Sequence, residues 1–103
     1  LIVVLGHSHC GAVKGAIDKA ELGHLTGLVA KIQPAVDQIP ADGQPRTSKN
    51  EQFLDKVADQ NVHLSIARIK RESPILKQMV ESGQIDLVGG MYNLATGKVE
   101  IFH

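Results

Sequence analysis

The stretch Leu1-Ile-Val-Val-Leu-Gly-His-Ser-His-Cys-Gly-Ala-Val-Lys-Gly15 decides how this chain reads. Residues 1–5 are β-rich and apolar without a polar interruption, the pattern of a strand buried on both faces, as in a parallel sheet. The run stops at Gly6. Two histidines and the only cysteine follow at once. From Gly11 the spacing becomes helical, with Val13, Ala16, Ile17 and Ala20 on one face and Lys14 and Asp18 on others. Gly23 reads as the stop. A polar loop therefore joins the end of a buried strand to the start of a helix.

His7-x-x-Cys10 puts an imidazole and a thiol in that loop. Cys10 falls at the helix N-terminus, where unpaired amides and the helix dipole favour the thiolate, the form that binds metal. Zinc accepts both ligand types. Gly6 and Gly11 would let the backbone turn tightly around an ion. Taken alone, the motif leaves a second reading open, in which Cys10 is a small buried residue and His7 a loop histidine. A zinc site needs at least three protein ligands, and the chain has one Cys. His9 adjoins Cys10, so both reaching one ion is sterically awkward. His24, His63 and His103, in a turn, on a helix and at the terminus, read as solvated or structural.

Other chemistries fit the loop less well. Gly6 and Gly11 have the spacing of a phosphate-binding loop, but Ala12-Val13 stands where Lys and Ser/Thr are required. A Cys10 nucleophile activated by His7 or His9 is a further reading, with no orienting acid identifiable in the sequence.

Outward from the loop, Leu25, Leu28, Val29, Ile32, Val36 and Ile39 form the apolar stripe of a second helix over residues 25–39. Pro34 should kink or split it. Residues 40–45 read as a surface loop. Ser48 with Glu51 is a capping box that opens a long helix to about Arg71, with Leu54, Ala58, Val62, Ile66 and Ile69 on one face. Lys70-Arg71-Glu72 reads as a solvated face. Ser73-Pro74 starts a further helix, which carries Ile75, Leu76, Met79 and Val80 and ends near Gly83. Residues 85–88 read as a strand, and Gly89-Gly90 as a bulge or a close backbone approach. Residues 93–98 form a turn, and residues 99–102 an antiparallel return strand. The fold class is α/β, a mostly parallel sheet flanked by helices with an antiparallel C-terminal edge strand. About three strands are visible. A strand covered on both faces wants more neighbours, which places the missing ones before Leu1 or in a partner subunit.

The chain has 103 residues and reads as a single domain, 1–103. A chain of this size buries roughly two-thirds of its unfolded surface. Eleven basic residues balance eleven acidic ones, which gives no electrostatic case for nucleic acid or a membrane surface. The absence of Trp, with one Tyr and two Phe, argues against a stacking platform for bases. Residues 1–5 are too short for a membrane span or a signal-peptide core. The first residue is Leu, the mark of a fragment, a processed product or part of something longer. One cysteine suits a reducing compartment or a metal role. The expectation is cytoplasmic, with a plastid or other organelle left open.

Gly6-His-Ser-His-Cys-Gly11 behind a hydrophobic strand resembles the second zinc-ligand segment, G-H-x-x-C-G, of β-class carbonic anhydrases. The likeness continues in order through Asn61-Val62, Ser73-Pro-Ile-Leu76, Gly83-Gln-Ile85, Val88-Gly-Gly-Met-Tyr-Asn93 and Thr96-Gly-Lys-Val99. It implies that His7 and Cys10 ligate Zn2+, with Gly11 a candidate at the substrate side. In the family a first Cys comes from an upstream C-x-D-x-R segment, whose Asp and Arg act as a pair. That segment is absent from these residues, so the chain resembles the C-terminal half of such an enzyme. The implied activity is reversible hydration of carbon dioxide to bicarbonate and a proton, by water whose pKa zinc lowers. The implied assembly is a homodimer or higher homo-oligomer, with an exposed apolar surface on the half alone. Two alternatives stand beside it. The chain is a truncated, non-catalytic remnant or assembly module, or the parent is a related carbonyl sulfide or carbon disulfide hydrolase.

Overall fold

The computed structural model describes residues 1–20 and 23–102. The elements run β1 (Ile2–His7), α1 (Gly11–Ile17), α2 (Leu25–Gln38), α3 (Glu51–Glu72), α4 (Pro74–Glu81), β2 (Leu87–Tyr92) and β3 (Val99–Ile101). The sheet order is β1-β2-β3. β1 and β2 are parallel from Ile2↔Leu87 to His7↔Tyr92, and β3 returns antiparallel with Gly90↔Ile101. This is the α/β class expected, with a parallel pair and an antiparallel C-terminal edge.

The core lies among α1, α2 and α3. Val13, Ala16, Val29, Ile32, Ala35, Val36, Phe53, Leu54, Val57 and Ala58 are buried in it. Leu54 and Val57 have almost no exposed surface. α3 also packs on β1 and β2, and two glycines set how closely it can approach. A Cβ on Gly6 would lie 2.8 Å from Val62 Cγ2 and 2.7 Å from Met91 Sδ. A Cβ on Gly89 would lie 2.8 Å from Val62 Cγ1 and 2.9 Å from Ile66 Cδ1. Gly89-Gly90 is thus a close approach within β2, not a bulge.

Several element ends differ from the sequence expectation. β2 occupies Leu87–Tyr92 and not residues 85–88, because pairing with β1 and the space needed by α3 outweigh the weak strand preference of glycine. α3 is capped by Asn50, whose Oδ1 accepts from Phe53 N at 3.4 Å, and not by Ser48. Ser48 instead donates its backbone N–H (3.2 Å) and its hydroxyl to Asp18, the C-cap of α1. The Ser48 hydroxyl holds the Asp18 carboxyl below the usual carboxylate range, with the Ser48 amide second. Stability from this contact is therefore present while Asp18 is ionised and is lost as pH falls through its lowered pKa.

α1 stops at Ile17, short of Ala20 and Gly23. Lys19 takes a left-handed φ of 54°, and Ala20 N donates to Gly15 O at 2.9 Å, closing the helix. Residues 21 and 22, between that stop and Gly23, lie outside the described residues, as does His103.

Pro34 does not split α2, which runs unbroken through it. Pro34 and Ala30 face solvent, where water can satisfy the carbonyl left without a donor, while Val29, Ile32, Ala35 and Val36 hold the helix in the core. Arg46 fastens the end of α2. Its guanidinium donates to Val36 O and Ile39 O, both at 2.8 Å, and lies 4.8 Å above the Phe53 ring.

Ser73 caps α4 as expected, accepting from Leu76 N at 3.3 Å. No residue of α4 is buried, so its apolar stripe lies half-covered or open.

β1 is not buried on both faces. Its residues alternate, with Ile2, Val4 and Gly6 toward α3 and Val3, Leu5 and His7 exposed. The same open side carries Val99 and Ile101 of β3. Leu5 is 51% exposed and Val99 49%. This is the uncovered apolar surface expected of the chain alone. Among the described residues no helix is long and apolar enough to cross a membrane.

Gly89→Ala must push Val62 and Ile66 off the sheet. It is expected to cost about 1–3 kcal/mol, read as a lower urea midpoint at unchanged m-value.

Candidate metal centre

β1 ends at His7 and α1 begins at Gly11, so three residues make the whole connection. The sharp turn falls on His9, whose φ of 56° is left-handed. That conformation is uncommon for a non-glycine residue, though histidine is among those enriched there. The turn does not depend on the two flanking glycines as expected. Gly6 lies inside β1 and answers to packing, and Gly11 is the first residue of α1 with open space beside it. His9 itself is exposed.

His7 and Cys10 line one cavity of about 170 Å³. Its other walls are Val4, Leu5 and Gly6 of β1, Val13 of α1, and Ala58, Asn61, Val62 and Ser65 of α3. No residue of β2 contributes, so the cavity lies along the edge of β1 that carries no partner strand in this sheet. Cys10 is half-buried and is a free thiol. It occupies the N-cap position of α1 without using its side chain as a cap, which leaves the sulfur available.

The His7 ring is oriented by the chain itself. Nδ1 lies 2.9 Å from Ser8 O. A carbonyl oxygen can only accept, so Nδ1 carries the hydrogen, and in the neutral ring Nε2 is the nitrogen with a lone pair to offer. This is the arrangement expected of a metal-ligating imidazole, one nitrogen held by a carbonyl and the other open to the metal. The donor set thus fits zinc in type. It is short in number, because no group of three His, Cys, Asp or Glu able to hold a metal occurs among the described residues.

Ser8 had no role in the sequence reading. It is buried, its N–H donates to Tyr92 O at 2.9 Å, and its Oγ accepts from Leu94 N at 2.9 Å. One residue therefore ties the His7–Cys10 loop to the start of the β2–β3 hairpin. A small hydroxyl between two candidate ligands was the available signal, but its partners are remote in sequence.

The other histidines lie elsewhere. His63 Nε2 is 3.1 Å from Asp59 Oδ1, and its ring stacks on Phe102 at 4.9 Å. His24 is the exposed N-cap residue of α2. A larger cleft of about 530 Å³ opens beside Ser8, lined among others by Asp55, Asp59, Tyr92, Asn93 and Glu100. It includes neither His7 nor Cys10.

A family model for carbonic anhydrases matches residues 1–99. The chain belongs to the carbonic anhydrase family. It is 33% identical to a carbonic anhydrase of Mycolicibacterium smegmatis over 106 aligned positions, covering 98% of this chain and 48% of that protein. It is 32% identical to carbonic anhydrase 2 of Mycobacterium tuberculosis, covering 95% of this chain and 46% of that protein. Among solved structures, the β-carbonic anhydrase CafA of Aspergillus fumigatus superposes with a TM-score of 0.80 at 24% identity, over 97% of this chain and 47% of CafA. A tetrameric β-carbonic anhydrase of Sordaria macrospora gives 0.75 at 18% identity, over 98% and 51%. The fold is that of the β class. The chain spans about half the length of the curated relatives it matches.

Ser8→Ala leaves the Leu94 N–H without its acceptor. The expected cost is about 1–2 kcal/mol, accompanied by faster hydrogen exchange at the Leu94 amide. Exchange at the wild-type rate would contradict the tie.

Proposed function

We propose that the parent protein is a zinc-dependent carbonic anhydrase that hydrates carbon dioxide reversibly, with His7 and Cys10 as two of the metal ligands. The observation that carries this is the pairing of a half-buried free thiol with an imidazole whose Nε2 is left open by the Nδ1–Ser8 contact, both on one cavity wall. Membership of the carbonic anhydrase family supplies the reaction.

Zinc bound here would supply a water activated as nucleophile at neutral pH. The chain's own residues do the positioning. His7 offers Nε2 at the end of a strand whose place α3 fixes. Cys10 offers its sulfur from the N-cap position of α1. Ser8 holds the backbone between them against the hairpin. Val4, Leu5, Val13 and Val62 give the cavity an apolar lining, suited to a small nonpolar substrate and to limiting water. Gly11, beside Cys10 and without a side chain, leaves its flank open for substrate or for an amide donor to the sulfur.

The third protein ligand lies outside these 103 residues in this reading. A Cys on a segment of the C-x-D-x-R type, laid along the unpartnered edge of β1, would bring the missing ligand together with its Asp–Arg pair. The exposed Val3, Leu5, Val99 and Ile101 support burial of the open sheet face in the whole protein, by its remaining residues and by self-association into a homo-oligomer.

The incomplete ligand set also favours a second statement about the chain alone. By itself it binds zinc weakly and has little or no hydratase activity. Stopped-flow carbon dioxide hydration on zinc-loaded material of verified mass checks this, and full activity from the 103 residues alone would contradict it. In the full-length protein, Cys10→Ser should remove zinc and activity together, while His9→Asn should retain both. Stoichiometric zinc in the Cys10→Ser variant would overturn the ligand assignment.

A further inference from the structure

We propose that Asn93 is a positioning residue of the metal centre: its side chain braces the turn over residues 93–98 so that the Leu94 N–H holds Ser8, and Ser8 in turn holds the His7 ring. The inference rests on the zinc reading above and adds to it a residue of the β2–β3 hairpin.

The turn is wired almost entirely to itself. Asn93 N donates to Lys98 O at 2.8 Å, and Gly97 N donates back to Asn93 O at 2.8 Å. Asn93 Oδ1 accepts from Ala95 N at 2.9 Å and from Thr96 N at 3.2 Å. Lys98 N donates to Thr96 Oγ1 at 3.3 Å. Every backbone N–H of residues 93–98 is thereby engaged inside the turn except that of Leu94. Leu94 N donates outward, to Ser8 Oγ at 2.9 Å, across 86 positions of sequence.

An Asn side chain is suited to this task, because its oxygen reaches the amides two and three residues on, where an apolar side chain offers no acceptor. Those two bonds hold the peptide planes that follow Leu94. The pairing of Tyr92 with His7 and the Asn93–Lys98 bond hold the planes before it. The Leu94 N–H is left with one direction, and the atom it meets is a buried hydroxyl. Ser8 is held a second time by its own N–H on Tyr92 O, at 2.9 Å. With side chain and amide both committed to the hairpin, Ser8 keeps its carbonyl for the His7 ring, 2.9 Å from Nδ1. Each contact on the path from Asn93 to His7 therefore lies within the described residues. Asn93 and Thr96 also border the larger cleft beside Ser8, but their oxygens are already engaged by the turn's own amides, so no ligand in the cleft is needed to account for them. Without Asn93 Oδ1, the Ala95 and Thr96 amides turn to water and the turn gains other conformations, in which the Leu94 N–H leaves Ser8. The Ser8 carbonyl then loses its place, and the His7 ring is free to turn Nε2 away from an ion.

The test is a double-mutant cycle on the full-length protein. It is read as zinc affinity in competition with a chromogenic chelator and as the visible spectrum of the cobalt(II)-substituted form. Asn93→Ala should weaken zinc binding by roughly 10-fold, the lower end of the range seen when groups that orient metal ligands are removed, and Ser8→Ala by as much or more. Because both act on one link, the double variant should bind zinc no more weakly than Ser8→Ala alone. Asn93→Asp, which keeps an oxygen for both amides, should restore the wild-type affinity and the wild-type cobalt spectrum. If Asn93→Ala does not fold, Asn93→Ser takes its place in the cycle, with a smaller loss because a hydroxyl makes such a turn more weakly. Wild-type zinc affinity in the Asn93 variant overturns the inference. So does a loss that adds in full to that of Ser8→Ala, or one that Asn93→Asp does not rescue, and the zinc reading stands in each case. A wild-type protein that takes up no more zinc than its Cys10→Ser variant overturns the zinc reading, and this inference with it.

Discussion

The contact on which the arrangement depends is Val62 of α3 lying over Gly6 and Gly89. Its two methyl carbons stand where those glycines' side chains would be, 2.8 Å from each ideal Cβ position. Neither glycine is there for a turn. They form a floor across two parallel strands, into which one β-branched side chain fits, and this sets the depth at which α3 rides on the sheet. Because β1 ends one residue after Gly6, the same contact fixes the position of His7. Because Ala58, one turn back, joins Val57 and Leu54 in the core with Val13 and Ala16 of α1, it also fixes the helix that begins beside Cys10. The two candidate ligands are thus placed from opposite sides by one helix.

A short connection of this kind has little freedom left. Ser8 uses both its amide and its hydroxyl on the hairpin, His9 takes the left-handed turn, and the Ser8 carbonyl orients the His7 ring. Ser8 and His9, two of the three linking positions, thus each have a defined physical task. The loop is built more rigidly than its exposure suggests, which suits ligands that must hold a geometry before the ion arrives. The face turned away from α3 has no such definition. Its valines, leucine and isoleucine are left to whatever completes the sheet.

Much of this was legible in the sequence because it rests on local pattern. The apolar run of residues 1–5, the helical spacing after Gly11, the Ser73-Pro74 start of α4 and the return strand after residues 93–98 all follow from periodicity and turn chemistry, and the order of motifs pointed to the family. The differences arise where a distant partner outweighs a local signal. Ser48 and Glu51 have the spacing of a capping box, but Asp18, thirty positions away, takes the Ser48 hydroxyl and Asn50 caps the helix instead. Gly89-Gly90 reads as either a bulge or a close backbone approach until β1 and Val62 are in place and select the second. The alternating exposure of β1 could not be read from five consecutive apolar residues, which do not show which face a helix will cover. His7 and Cys10 were found by type and spacing, whereas Ser8 became visible only once the hairpin had been brought beside the loop.

The central claim is that His7 and Cys10 share a zinc ion. Zinc K-edge X-ray absorption on the full-length protein tests it most directly. The account predicts a shell containing imidazole nitrogen at about 2.0–2.1 Å and sulfur at about 2.3 Å, with the sulfur contribution reduced in Cys10→Ser and the imidazole contribution reduced in His7→Ala. A shell of oxygen and nitrogen without sulfur, or one that neither substitution changes, would contradict it.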